Sequence, residues 1–171
     1  MKIIDVAGLK KSGKTTIVEN IVKELTTRGY KVGTIKKIHI PSFTIDTEGK
    51  DTFRHKNAGA EFVISLAPEE VALIKTLNGP RELASILQMV PKETDFLICE
   101  ELNEVHNDIK YIIALKNLDN LEQTMKVRSI GDNIIAISGV VANSEVTHEK
   151  YPIINVTTLE GKKKIVDLIL A

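Results

Sequence analysis

The residues with the plainest chemical purpose are Gly8-Leu9-Lys10-Lys11-Ser12-Gly13-Lys14-Thr15, which satisfy G-x-x-x-x-G-K-[ST] at every fixed position. Gly8 and Gly13 permit a loop that wraps a phosphate with backbone N–H groups pointing inward. The N-terminus of a following helix adds partial positive charge at the same spot. Lys14 would neutralise β- and γ-phosphate oxygens, and the Thr15 hydroxyl would ligate Mg²⁺, a cation that takes oxygen ligands and substrate phosphates. Lys10 and Lys11 add charge within the loop, and Ser12 lies at its tip. A Gly/Lys-rich turn can match this pattern by chance, so the flanks decide. An apolar strand over Lys2–Ala7 precedes it. A helix from about Thr15 to Arg28 follows, with Ile17, Ile21, Val22 and Leu25 on one face and Gly29 as its stop. The expectation is a nucleoside triphosphate held with Mg²⁺.

Other polar residues fall where such a site would need them. Asp95-Phe96-Leu97-Ile98-Cys99-Glu100-Glu101 is an apolar strand ending in acids. Glu100 is the candidate for holding the metal's water shell or activating the attacking water, and with Lys14 it makes the candidate catalytic pair. Acids also mark the solvated end of any strand. Lys36, Lys37 and His39 lie near the end of the second strand, Lys31–Ile40, and Asp46, Lys50 and Asp51 lie in the loop beyond it. Lys36 or Lys50 could contact phosphate and Asp46 could act on Mg²⁺, although a solvated polar loop accounts for these residues equally well. For the base, Lys116-Asn117-Leu118-Asp119 follows a strand with the order of a guanine-reading Asn-Lys-x-Asp disturbed. Asp119 could still accept from guanine N1 and N2, and Ser138–Asn143 is a second strand end of the same kind. Neither separates GTP from ATP. Lys162-Lys163-Lys164 reads as the solvated face of the last helix.

The elements that must position these residues alternate between short apolar runs and helical patterns. That predicts an α/β, P-loop NTPase-type, mostly parallel sheet flanked by helices, in a single domain over 1–171. Expected strands are Lys2–Ala7, Lys31–Ile40, Glu61–Ala67 with Val71–Leu77 beside it, Asp95–Glu100, Tyr111–Leu115, Ile134–Ser138 and Ile153–Val156. Expected helices follow the loop, end at Ala58, run from Pro80 through Val90 after the turn Asn78-Gly79-Pro80, and close the chain from Thr157-Thr158-Leu159-Glu160, a capping-box pattern. Lys plus Arg equals Asp plus Glu at 23 each, so no broad field draws nucleic acid or acidic lipid. The lone Cys99 sits in an apolar run and reads as a buried small hydrophobe; it excludes an internal disulfide and a thiolate metal cluster. Asp5 interrupts the N-terminal apolar run, and no stretch reaches the ~18 apolar residues of a membrane span, so a soluble cytoplasmic protein is expected.

The chain resembles the MobB family of molybdopterin-guanine dinucleotide biosynthesis proteins over most of its length, most strongly in its first 100 residues. The resemblance rests on Gly8–Thr16, Gly33-Thr34-Ile35-Lys36-Lys37-Ile38-His39, Asp46–Thr52 with Ala58-Gly59-Ala60, and Asp95–Glu100. It implies a homodimeric, slow GTPase, with Thr16 in the nucleotide cradle, Lys36 and His39 as the basic strand end, and Glu100 as the strand-end acid. It further implies a helper role in attaching GMP to molybdopterin beside a separate guanylyltransferase. The chain departs from the family pattern at Glu101, where a glycine is typical, at Ile40 after the single His39, and at Gly139 after Ser138, where the family often shows Ser-Asp. A small-molecule kinase would use the same loop but needs an arginine lid, and the arginines are only Arg28, Arg54, Arg81 and Arg128. A nucleotide-gated binding module without turnover fits the lack of an evident arginine finger. A partition-type ATPase would carry a lysine where Leu9 stands. For the dimer, the segments Val71–Leu77 and Tyr111–Leu115 are the expected contact, pairing as edge strands.

Overall fold

The computed structural model describes residues 1–77, 79, 82–102, 104, 108–128, 130 and 132–171. It divides into two compact units, Met1–Lys37 with Val90–Ala171, and Ile38–Met89.

In the first unit the strands are β1 (Lys2–Gly8), β2 (Val32–Lys36), β5 (Phe96–Glu100), β6 (Ile109–Ala114) and β7 (Ile134–Ser138). β3 (Phe62–Leu66) and β4 (Val71–Lys75) belong to the second unit. The five form one sheet in the order β2-β5-β1-β6-β7, with every pairing parallel. Nearly continuous apolar runs demand this arrangement, because a strand buried on both faces has no polar side to show water. In β1, Ile4 and Val6 point to one face, and Ile3, Asp5 and Ala7 to the other. Ile17, Ile21 and Leu25 of helix α1 (Lys14–Thr27) pack on the first set, together with Ile165, Val166 and Ile169 of the C-terminal helix α5 (Leu159–Leu170). Each such side chain contributes about 1.5–3 kcal/mol when fully buried. Helix α4 (Leu121–Arg128) lies against β1, with Thr124 buried. A parallel sheet gathers all its strand C-termini at one edge. That edge therefore carries the loop after β1, Glu100, Lys36, and the turns after β6 and β7.

The second unit holds α2 (Asp51–Asn57), β3 (Phe62–Leu66), β4 (Val71–Lys75) and α3 (Leu83–Leu87). β3 and β4 form an antiparallel hairpin in the register Ile64 to Leu73 and Leu66 to Val71. Side-chain alternation puts Phe62, Ile64, Leu66, Val71 and Leu73 on one face, and all five are exposed, Leu66 by 81%. Val63, on the other face, is buried.

The structure changes several expectations. β2 stops at Lys36 because its partner β5 ends opposite it at Glu100. Tyr111–Leu115 is no edge: β6 lies between β1 and β7, and these residues are buried, so they cannot pair across a dimer axis. The expected strand Ile153–Val156 is reduced to a single bridge between Ile153 and Ile137. Pro152 brings no N–H to a ladder, and the Asn155 side chain, accepting from Thr157 N at 3.0 Å, turns the chain before a strand can extend. The last helix is capped by Thr158, whose hydroxyl accepts from Gly161 N at 3.0 Å, one residue beyond the capping box read from Thr157 and Glu160. The helix expected from Pro80 to Val90 spans Leu83–Leu87, and Asn78, Pro80 and Arg81 lie outside the described residues. Helix α4 has no counterpart among the expected elements, since its apolar residues are too sparse to mark a face.

Candidate functional site

The loop between β1 and α1 is shaped by its neighbours as much as by its own glycines. A Cβ on Gly8 would overlap the carbonyl oxygen of Ala114 at the end of β6. Gly13 forms the N-cap of α1 with φ 94°. Val140 N donates to Ser12 O at 3.2 Å, and Val141 N donates to Leu115 O at 3.0 Å, so the turn after β7 braces the loop from the side. Gly139 makes that brace possible. It adopts φ 94°, ψ −153°, a region essentially confined to glycine, and a Cβ there would overlap Ser12 O. A side chain at the position after Ser138 therefore has no room. Ser138 itself is buried and donates to Ile154 O at 2.6 Å.

Lys14 is folded back over the loop. Its Nζ donates to Leu9 O at 2.8 Å and Gly8 O at 3.2 Å, and its side chain is 10% exposed. The neighbouring Thr15 hydroxyl faces the end of β5, with Oγ1 at 3.2 Å from both carboxylate oxygens of Glu100. Lys36 Nζ, from the end of β2, reaches Glu100 Oε1 at 3.2 Å. The structure thus brings Lys14, Thr15, Glu100 and Lys36 to one sheet edge. A hydroxyl and a carboxylate facing each other are the oxygen donors a hard cation takes, so Thr15 and Glu100 fit Mg²⁺ completed by substrate phosphates and water. Among the described residues no group of three or more His, Cys, Asp or Glu could hold a metal by itself. When bound, the cation would supply charge neutralisation between phosphate oxygens.

The other expected residues are placed as follows. Lys10 and Lys11 are exposed on the loop, Lys11 with φ 63°; Ser12 is buried, and Thr16 is exposed on the first turn of α1. Asp119 is exposed, in a 3-10 turn (Leu118–Asn120) beyond β6. Asn143 lies in the turn after β7, and its Oδ1 accepts from Asn155 Nδ2 at 3.1 Å. These turns flank the loop on the side opposite Glu100, as the strand order requires. Asp46 belongs to the Ile38–Met89 unit. There its Oδ1 accepts from Thr47 N at 2.9 Å and Thr52 Oγ1 at 2.8 Å, shaping the loop that leads into α2. Cys99 is fully buried, and burial first, then the charges of Asp5 and Glu104, push its thiol up to about 12. It is no nucleophile.

The roles of four residues, Asp5, Lys37, Glu101 and Arg128, escaped the sequence. Asp5 is a buried anchor: its Oδ1 accepts from Leu102 N at 3.1 Å, while Val6 O accepts from Glu101 N at 3.2 Å. Lys37 Nζ closes the same turn by donating to Leu102 O at 2.8 Å. So gripped, Glu101 takes φ 60° and directs its carboxylate at the loop, with Oε1 at 3.1 Å from Lys14 Nζ. Arg128, the last residue of α4, meets the same oxygen through Nη2 at 2.8 Å and donates from Nη2 to Gly8 O at 3.2 Å. The contacts to Glu101 Oε1 are ion pairs without hydrogen-bond alignment. An acid interrupting an apolar strand was the visible signal for Asp5; for Arg128 there was none, because its helix was not legible.

The family model described as "Molybdopterin guanine dinucleotide synthesis protein B" matches residues 3–140. A Bacillus subtilis protein named "Probable molybdopterin-guanine dinucleotide biosynthesis adapter protein" is 32% identical over 139 residues, covering 79% of this chain and 74% of that relative. The Haemophilus influenzae adapter protein is 29% identical over 137 residues, covering 80% of this chain and 73% of its own. Among solved structures, a crystal structure of Bacillus subtilis MobB superimposes with TM-score 0.76 at 24% identity, covering 98% of each chain. A MobB homologue from Bacillus stearothermophilus gives TM-score 0.69 at 17% identity over the full length of both. These two likenesses establish the fold, the α/β P-loop type.

Proposed function

Because the chain belongs to the molybdopterin guanine dinucleotide synthesis protein B family, we propose that it binds GTP with Mg²⁺ at Gly8–Thr15, hydrolyses it slowly, and serves as a homodimeric adapter beside the guanylyltransferase that attaches GMP to molybdopterin. The observation that carries the nucleotide reading is the convergence of Lys14 and Thr15, at a helix N-terminus, with Glu100 and Lys36 at the sheet edge. Lys14 holds β- and γ-phosphate oxygens, Thr15 and Glu100 hold the cation and its water, and Lys36 balances charge beside Glu100. The base lies toward the turns after β6 and β7, where Asp119 accepts from guanine N1 and N2. The adapter role rests on the relatives' names.

Calorimetric titration of the full chain with GTP and ATP, each with and without Mg²⁺, tests this reading, followed by a phosphate-release assay. GTP should bind more tightly than ATP, and Asp119→Asn should narrow the gap. Equal affinity for both nucleotides would refute the base preference, and a gap unchanged in Asp119→Asn would move base reading to another residue such as Asn143. Tight binding without phosphate release would leave a nucleotide-gated binding module in place of a GTPase.

A further inference from the structure

Glu101 and Arg128, which the nucleotide reading does not use, form a largely buried charge cluster with Lys14. The side chains of Lys14, Glu101 and Arg128 are 10%, 15% and 19% exposed. A carboxylate oxygen lying between a lysine and an arginine at 3.1 and 2.8 Å has the surroundings that a phosphate oxygen seeks. Three contacts hold the turn behind it, from Glu101 N to Val6 O, from Leu102 N to Asp5 Oδ1 and from Lys37 Nζ to Leu102 O. They keep Glu101 at φ 60°, a conformation that a side chain other than glycine adopts at a cost. Arg128 is fixed to the loop independently of Glu101, through Nη2 to Gly8 O at 3.2 Å. Its buried Nε has no hydrogen-bond partner among the described residues.

We propose that Arg128 is a second cation of the phosphate cradle, and that Glu101 occupies Arg128 and Lys14 as an internal carboxylate that the phosphate chain of a nucleotide displaces. The proposal rests on the reading of Gly8–Thr15 as a phosphate-binding loop. Binding is then an exchange of anions. The triphosphate replaces one carboxylate on two cations, and the freed carboxylate must swing toward solvent. Glu101 weakens binding by competition, while Arg128 strengthens it by touching phosphate, so the two residues act with opposite sign although they are ion-paired.

The test is calorimetry on the full chain with GTP–Mg²⁺ and with tripolyphosphate, a probe that has no base. The variants are Glu101→Gln, Arg128→Gln, the double variant and Lys14→Ala, each checked for folding by circular dichroism. Glu101→Gln should bind both probes about ten-fold more tightly than the parent, the usual scale for one charge-assisted contact. The double variant should lose about ten-fold relative to Glu101→Gln, because its second change removes a phosphate contact. Glu101→Gly, which removes the carboxylate and the strained backbone together, should also bind more tightly and covers the case in which the glutamine variant does not fold. Affinity unchanged or lowered in both Glu101 variants overturns the competition. A double variant that binds as well as Glu101→Gln overturns Arg128 as a phosphate cation and leaves it an anchor for Glu101. If Lys14→Ala loses affinity while the Glu101 variants gain none, only this inference fails. If Lys14→Ala binds like the parent, the phosphate-loop reading fails with it.

Discussion

Thr15 and Glu100 sit close enough to be tested as a unit. Thr15 Oγ1 lies 3.2 Å from both oxygens of Glu100, so a cation between loop and strand would be shared by the pair. Glu100→Gln keeps the shape of the side chain and removes its charge. It should weaken the Mg²⁺ dependence of nucleotide binding by about ten-fold while changing Mg²⁺-free binding little, as expected for a group that acts through the metal. Titrations with and without Mg²⁺ measure this, and an unaltered metal response would make Glu100 only the solvated end of β5. At this scale the sequence was most legible where a fixed spacing demanded a residue type. Gly8, Gly13, Lys14 and Thr15 follow from one motif, and Glu100 follows from an apolar run that ends in acid. Glu101 was visible as a second acid at the end of an apolar strand, but its orientation depends on Asp5, Val6 and Lys37, which lie far from it in sequence. Arg128 reaches the loop from 120 residues away.

At the scale of elements, the sheet does the positioning. Parallel pairing brings five strand ends to one edge, and the turn after β7 holds the loop by Val140 N to Ser12 O. Gly139 is the element junction on which this depends. Gly139→Ala should lower stability by roughly 2–4 kcal/mol and impair nucleotide binding, because the added Cβ overlaps Ser12 O and lies 3.0 Å from Leu115 O. Gly29→Ala is the matched comparison. It also has positive φ, at 88°, but its Cβ would meet nothing within 4 Å, so only the backbone cost of about 1–2 kcal/mol should remain. Denaturant unfolding of both variants reads the combined cost of the overlap and of the rarer dihedral angles at Gly139; equal losses would show that neither adds to the cost of a positive φ. Strong periodicity made β1, α1, β5 and β7 legible nearly to their ends. Weak periodicity hid α4, and a Pro and an Asn side chain turned the expected strand Ile153–Val156 into a bridge.

For the molecule as a whole, the exposed face of the β3–β4 hairpin supports self-association. Phe62, Ile64, Leu66, Val71 and Leu73 are all more than half exposed on one face, an apolar patch of a kind that monomers seldom leave open. A two-stranded hairpin is also marginal by itself. In solution the chain should scatter light as twice its 18.9 kDa, and Leu66→Glu with Leu73→Glu should return it to the single mass. A single mass for the parent at high protein concentration, with and without GTP and Mg²⁺, would refute the dimer.

The central claim is that Gly8–Thr15 holds the phosphates of a nucleotide through Lys14, and the most direct measurement is the affinity of Lys14→Ala for GTP–Mg²⁺ beside that of the parent chain. Lys14 contacts Gly8 O and Leu9 O but adds little to the apolar core, so the variant should remain folded by circular dichroism. Loss of a charge-assisted phosphate contact should cost about 1.5–3 kcal/mol, or roughly 10- to 150-fold in affinity. A folded Lys14→Ala that binds GTP as tightly as the parent would contradict the account.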